Sequence, residues 1–176
     1  MSTIALLRAA NVGRHQRFRA KALESELPAL QLKNFGAAGT YLVRADLPEA
    51  EIRAAFARAL PFAPQLALVP AVDFAALVAA DPFAAEAEAL GAKRFLSLLL
   101  EAPAVLPTLP LERPEGGHWQ VRLAAVEPWY AISLRRGQGA GVVYPNFLDK
   151  TLGVPMTTRG WGTVLRVAKA LGGLGG

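Results

Sequence analysis

The first seventy residues alternate short apolar runs with helical stripes in an order that few architectures accept. Residues 3–8 (TIALLR) form an apolar run of strand length. Phe18, Ala22, Leu23 and Leu27 then recur at helical spacing, with Pro28 ending the helix. Leu32–Phe35 and Thr40–Arg44 read as strands joined through Gly36-Ala37-Ala38-Gly39, a hairpin signal. Asp46 stands where an N-cap belongs, ahead of Leu47-Pro48-Glu49 and the stripe Ile52, Ala55, Phe56, Ala59 and Leu60. Leu66–Val69 closes the series as a strand. The order β-α-β-β-α-β is the ferredoxin-like split βαβ plan, so residues 1–71 are expected to form one such half.

Residues 72–176 are expected to form a second α+β, plait-like half. A helix near Val72–Ala80 breaks at Asp81-Pro82, and a short helical piece runs on to Leu90. Arg94–Leu100 is a strong strand. Glu101–Gly117 holds four prolines and is read as a loop. His118–Leu123 and Trp129–Leu134 pair as strands, Arg135–Gly141 (RRGQGAG) is a glycine-rich turn, and Pro145–Leu152 is a short helix. The last helix is placed from Thr158 to Leu171. The fold class is therefore α+β, two ferredoxin-like halves with antiparallel sheets covered by helices. The halves are alike in plan and show no sequence repeat.

Composition narrows the chemistry. Hydrophobic residues make up 53% of the chain and charged ones 19%, the balance of a chain with a core. There is no cysteine, which removes disulfides, thiolate nucleophiles and Cys-based zinc sites. The apolar start is too short for a signal sequence, and no stretch approaches the ~20 apolar residues of a membrane span. A cytoplasmic protein without membrane contact is the expectation. The two histidines, His15 and His118, have no metal-ligand spacing, and no serine lies in a nucleophile elbow. No catalytic residue, metal or cofactor is named on these grounds, and whether the chain turns a substrate over stays open.

Charge is divided unevenly along the chain. Residues 1–45 hold seven Lys/Arg against two Asp/Glu, and residues 128–176 hold six against one. Residues 46–127 reverse the balance, six against eleven. Should the ends meet, they form a basic face that attracts phosphates, nucleic acid or carboxylates; scattered, they are solvated surface. Within the first basic segment, Arg14, His15, Arg17, Arg19 and Lys21 fall close together after the Asn11-Val12-Gly13 turn. Near the other end, Thr157-Thr158-Arg159-Gly160-Trp161-Gly162 is placed at the mouth of the last helix, where free N–H groups and a guanidinium favour an anion. Trp161, Val164, Leu165, Ala168 and Leu171 form that helix's apolar stripe. The RRGQGAG turn lacks the Gly-Lys-Ser/Thr ending of a phosphate loop and reads as a hairpin connection.

LLRAANVG at the start, the Gly39-centred hairpin and LGVPMTTRGWGTVLRVAKAL at the end resemble the bacterial domain-of-unknown-function family 1697. The resemblance covers essentially the whole chain and implies a two-part α+β protein built from ferredoxin-like plaits; it implies no activity. Members read GINVGG where this chain has Ala9-Ala10-Asn11-Val12-Gly13-Arg14, SGN where it has Ala38-Gly39-Thr40, and TRNWNT across residues 158–163. Their Gly-x-Gly-Arg-Ser-Lys loop keeps its glycines here at 137–141 and loses the Ser-Lys pair.

Taken together, the residues point to a protein that binds an anionic ligand, a phosphate-bearing small molecule or nucleotide. Asn11, Arg14, Arg17, Thr158 and Arg159 are the candidate ligand-binding residues. Two other classes compete: a non-catalytic nucleic-acid-binding module, and a protein-interaction domain with no ligand. Tyr41 is the only aromatic in the interior of a first-half strand, which speaks against base stacking on an exposed sheet.

Overall fold

The computed structural model of the chain describes residues 1–10, 17–83, 91–115, 118–137 and 148–172. Its contacts divide it into two compact units, Met1–Ala79 with Arg166–Gly176, and Ala80–Leu165. Among the described residues no helix is long and apolar enough to cross a membrane.

The first unit carries β1 (Thr3–Leu7), α1 (Leu23–Glu26), β2 (Leu32–Asn34), β3 (Thr40–Val43), α2 (Glu49–Ala59), β4 (Leu66–Pro70) and α3 (Ala71–Ala79). Its four strands are antiparallel in the order β2-β3-β1-β4, the arrangement that the βαββαβ connection predicts. Period-2 alternation sends Ala5, Leu7, Tyr41, Val43 and Leu66 to one face, where Ile52 and Phe56 of α2 cover them. Ile4, Leu6 and Leu42 on the opposite face are buried as well, and α3 lies against β1 and β4.

Two local expectations change. The helix expected from Phe18 to Leu27 is the single turn α1, followed by a 3-10 turn over Pro28–Leu30. Pro28 removes an N–H donor, and a four-residue piece cannot propagate. Asp46 does not cap α2: Pro48 holds the N-cap position without a side-chain bond, and the Asp46 carboxylate pairs with the Met1 ammonium. Ala9 sits at φ 54°, in the left-handed region that glycine adopts freely. A Cβ there costs about 1–2 kcal/mol, partly offset by glycine's looser unfolded chain. Ala9→Gly is accordingly expected to stabilise the protein by about 0.5–1 kcal/mol, read as a rise in urea midpoint at unchanged m-value.

The second unit holds β5 (Lys93–Leu99), β6 (Leu111–Arg113), β7 (Val121–Val126), β8 (Tyr130–Arg135), α4 (Leu148–Leu152), β9 (Met156–Gly160) and the start of α5 (Trp161–Gly172). Its antiparallel sheet runs β6-β7-β8-β5-β9. The four strands β7-β8-β5-β9 repeat the order β2-β3-β1-β4 position for position, with β5 in the place of β1. Leu99, Leu123, Ala131, Leu148, Leu152 and Met156 build the core on the α4 face. The proline-rich segment read as a loop contributes β6, an edge strand bracketed by Pro110 and Pro114. Only an edge tolerates that bracketing, because proline has no N–H for a second ladder.

The C-terminal boundary moves most. Met156–Gly160 is a strand paired with β5, and the helix begins only at Trp161. Thr157 and Thr158 are β-branched and fit the ladder better than a first helical turn. Trp161, Val164 and Val167 form the buried stripe, while Leu165 is exposed. The helical piece to Leu90, most of the glycine-rich turn and the start of the Pro145 helix lie outside the described residues.

Candidate functional site

Two places carry the sequence-predicted cations. Asn11 and Arg14 lie outside the described residues, as does His15. Arg17 is exposed on the first unit, in the segment that leads from β1 to α1. Directly after it, this segment forms one wall of a cleft of about 780 Å³, larger than the cleft of about 500 Å³ beside α4. Such a volume lies in the range of small-molecule sites. The opposite wall is the β2–β3 hairpin at Asn34, Gly36 and Ala37.

The walls are joined by one carboxylate. Glu24 of α1 accepts the Asn34 backbone N–H at 2.6 Å and pairs with Lys21 at 2.5 Å. Hydrogen bonding by Lys21, then by the Asn34 N–H, holds the Glu24 carboxyl below its ordinary value of 4.5. An engaged, acidic carboxylate of this kind is a poor general base. The Asn34 side chain is spent on the turn, accepting from Gly36 N and donating to Gly36 O, both at 3.0 Å. Phe18 packs edge-on against Phe62 at 5.9 Å. The exposed cations of the lining are Arg19 and Lys21. The lining thus offers apolar surface and positive charge, with no nucleophile and base brought together.

Tyr41 fixes this wall from below. Its hydroxyl donates to the Ala20 carbonyl at 2.8 Å, and its ring meets Phe56 at 5.4 Å. Full burial leaves no aromatic of the first-unit strands available for base stacking. Desolvation raises the Tyr41 phenol well above its ordinary 10.0. A group whose folded value is raised contributes stability below its unfolded value and loses it as pH climbs past that value. Unfolding free energy is therefore expected to fall as pH rises above 10.0, and chemical denaturation of Tyr41→Phe should show a flatter decline. Tyr130, raised by burial and then by Glu127, keeps part of the slope.

The second place is β9. Strand alternation puts Thr158 and Arg159 on opposite faces of the second-unit sheet, so the two do not converge. The Thr158 hydroxyl is engaged with Ser97 Oγ at 2.7 Å, across the β5–β9 pair. The Arg159 guanidinium turns back along its own strand, donating from Nη1 to Thr157 Oγ1 at 2.8 Å and to the Thr158 carbonyl at 2.9 Å. Burial lowers this guanidinium to about 10. The helix boundary is corrected: Arg159 lies in β9, two residues ahead of the helix start at Trp161. Among the described residues no three His, Asp or Glu side chains come together as a metal would need.

Arg19, Lys21, Glu24 and Asn34 were not among the sequence-selected contacts. Arg19 and Lys21 belonged to the basic run already noted; Glu24 and Asn34 carry no motif, and only the fold brings them together.

The family model for a protein of unknown function, DUF1697, matches residues 1–126. That is most of the chain, and the chain belongs to this family. A solved structure, the conserved bacterial protein SP0830 from Streptococcus pneumoniae, shares the fold with a TM-score of 0.60. The match covers 97% of each chain at 19% identity, so the likeness is one of fold. Comparison with curated proteins gives no match.

Proposed function

We propose that the protein binds an anionic small molecule, a phosphate-bearing metabolite or nucleotide, in the cleft between the β1–α1 segment and the β2–β3 hairpin. The observation that carries this reading is the coincidence of that cleft with the basic run: Arg19 and Lys21 line it and Arg17 adjoins it. Guanidinium and ammonium groups at the rim suit phosphate oxygens, and Phe18 and the alanines of the lining suit an apolar moiety. Asn11 and Arg14 belong to the same proposed contact set through their place in the chain. With Glu24 held as a carboxylate by Lys21 and Asn34, the site is a recognition site rather than a proton-transfer centre.

A second reading rests on Arg159. A cation depressed by burial gains from any anion that reaches it, so a carboxylate or phosphate at β9 would recover part of its desolvation cost. Thr158 enters this reading only by ordering the strand through Ser97.

A thermal-shift screen of nucleotides and sugar phosphates tests both. The cleft reading predicts a saturable rise in Tm that is lost in Arg19→Ala/Lys21→Ala and kept in Arg159→Ala. Loss in Arg159→Ala alone would move the site to β9.

A further inference from the structure

The fold of the first-unit cleft consumes most of the hydrogen-bonding capacity of its lining. Asn34 spends both ends of its side-chain amide on Gly36, and the Ser25 hydroxyl donates to the Ala22 carbonyl at 2.9 Å. The Ala20 carbonyl is taken by the Tyr41 hydroxyl. Among the described lining residues, the polar side chains left to meet a ligand are Arg19, Lys21 and Glu24.

Glu24 is the odd member of that set. A carboxylate repels the anion that its neighbours attract, unless the ligand also brings it a donor. Two carboxylate oxygens offer about four acceptor positions. Oε1 takes the Asn34 N–H at 2.6 Å and Oε2 the Lys21 ammonium at 2.5 Å, which leaves about two. The same two bonds hold the group ionised, so it can accept and cannot donate. Its side chain is 22% exposed, fixed in place yet open to the cleft that it lines.

We infer that Glu24 accepts a hydroxyl of the ligand, an assignment that rests on the cleft being an anion site and narrows its ligand to phosphate esters of polyols, sugar phosphates among them. Arg19 and Lys21 hold the phosphate, and Glu24 takes a hydroxyl carried a few bonds away. The contact between Lys21 and Glu24 places these two ligand groups side by side. The donor is neutral, because Arg19 and Lys21 repel an ammonium and Lys21 already balances the Glu24 charge. A phosphate on a plain alkyl chain brings Glu24 nothing and leaves its repulsion uncompensated. Glu24 thus selects among phosphates by what stands next to the phosphate group.

The test titrates glycerol phosphate and propyl phosphate into the full chain at neutral pH, with the backbone amides followed by NMR. The two probes share a carbon chain, and only the first carries hydroxyls. Both are expected to shift the amides of residues 18–25, with glycerol phosphate bound at least about fivefold more tightly. Glu24→Gln keeps an acceptor for the Asn34 N–H, whose own resonance reports that the hairpin stays attached. This variant is expected to bind propyl phosphate as tightly as wild type or more so, and to bring the two probes within about twofold of each other. Glu26→Gln, which removes an exposed carboxylate outside the lining, should keep the preference. Equal binding of the two probes by wild type overturns the role of Glu24 and leaves the anion site standing. A preference that survives Glu24→Gln, or a Glu24→Gln loss that falls on both probes alike, overturns it as well. Should neither probe move those amides, the anion site itself fails and the role of Glu24 with it.

Discussion

Gly39→Ala is expected to lower stability by about 3 kcal/mol or more, a fall of roughly 6–12 °C in Tm for a chain of this size. Two costs coincide at this position. Gly39 has φ 70°, where a Cβ costs about 1–2 kcal/mol. That Cβ would also stand 2.8 Å from both Cβ and Cδ1 of Leu7. Cδ1 can move by changing rotamer, but Leu7 Cβ is fixed by its backbone. The backbone itself is pinned to the glycine by the Leu7 N–H to Gly39 carbonyl bond of 2.8 Å. Leu7 is fully buried in the first-unit core, so relief requires β1 and the hairpin to part. Gly162→Ala is the contrasting control. Among the described residues nothing lies within 4 Å of its added Cβ, and its φ is not positive, so equilibrium denaturation should show it neutral to stabilising, by up to about 1 kcal/mol.

Arg19→Ala/Lys21→Ala is expected to weaken a bound anion by about 30-fold or more while leaving the fold intact. Both side chains are exposed, and neither contributes to the core. Charge-assisted hydrogen bonds contribute about 1.5–3 kcal/mol each, less where solvent screens them; about 1 kcal/mol for each exposed cation, about five- to sixfold, sets the floor for the pair at about 30-fold. Lys21 has a second role as the partner of Glu24. Removing it relaxes the carboxyl toward its ordinary value, while the Asn34 N–H bond to Glu24 still ties the two walls. Arg19→Ala alone leaves that latch untouched, and its share of the loss therefore reports ligand contact rather than cleft shape.

The sequence carried most of the first unit, because each of its elements has both a period and a punctuation mark. TIALLR is strand-length and apolar, Gly36 and Gly39 mark the hairpin, and Ile52, Ala55 and Phe56 repeat at helical spacing. Where punctuation is ambiguous, the reading slips. Threonine serves equally as a helix cap and as a strand residue, so Thr157-Thr158 reads as a cap in sequence while partner strand β5 makes it a ladder. Capping and pairing compete for the same sequence, and only the long-range partner decides. Leu111-Glu112-Arg113 was hidden by flanking prolines, which exclude a central strand but permit an edge. The cleft was half legible. The run of basic residues after β1 announced a charged surface, whereas the Glu24 latch depends on an α1 turn meeting a hairpin ten residues later.

The central claim, an anion site in the first-unit cleft, is tested most directly by calorimetric titration of the best-stabilising phosphate compound into wild type, Arg19→Ala/Lys21→Ala and Arg159→Ala. The account predicts one site per chain, lost or weakened at least about 30-fold in the double variant and unchanged in Arg159→Ala. Equal affinity for wild type and the double variant, with both still folded, would contradict it.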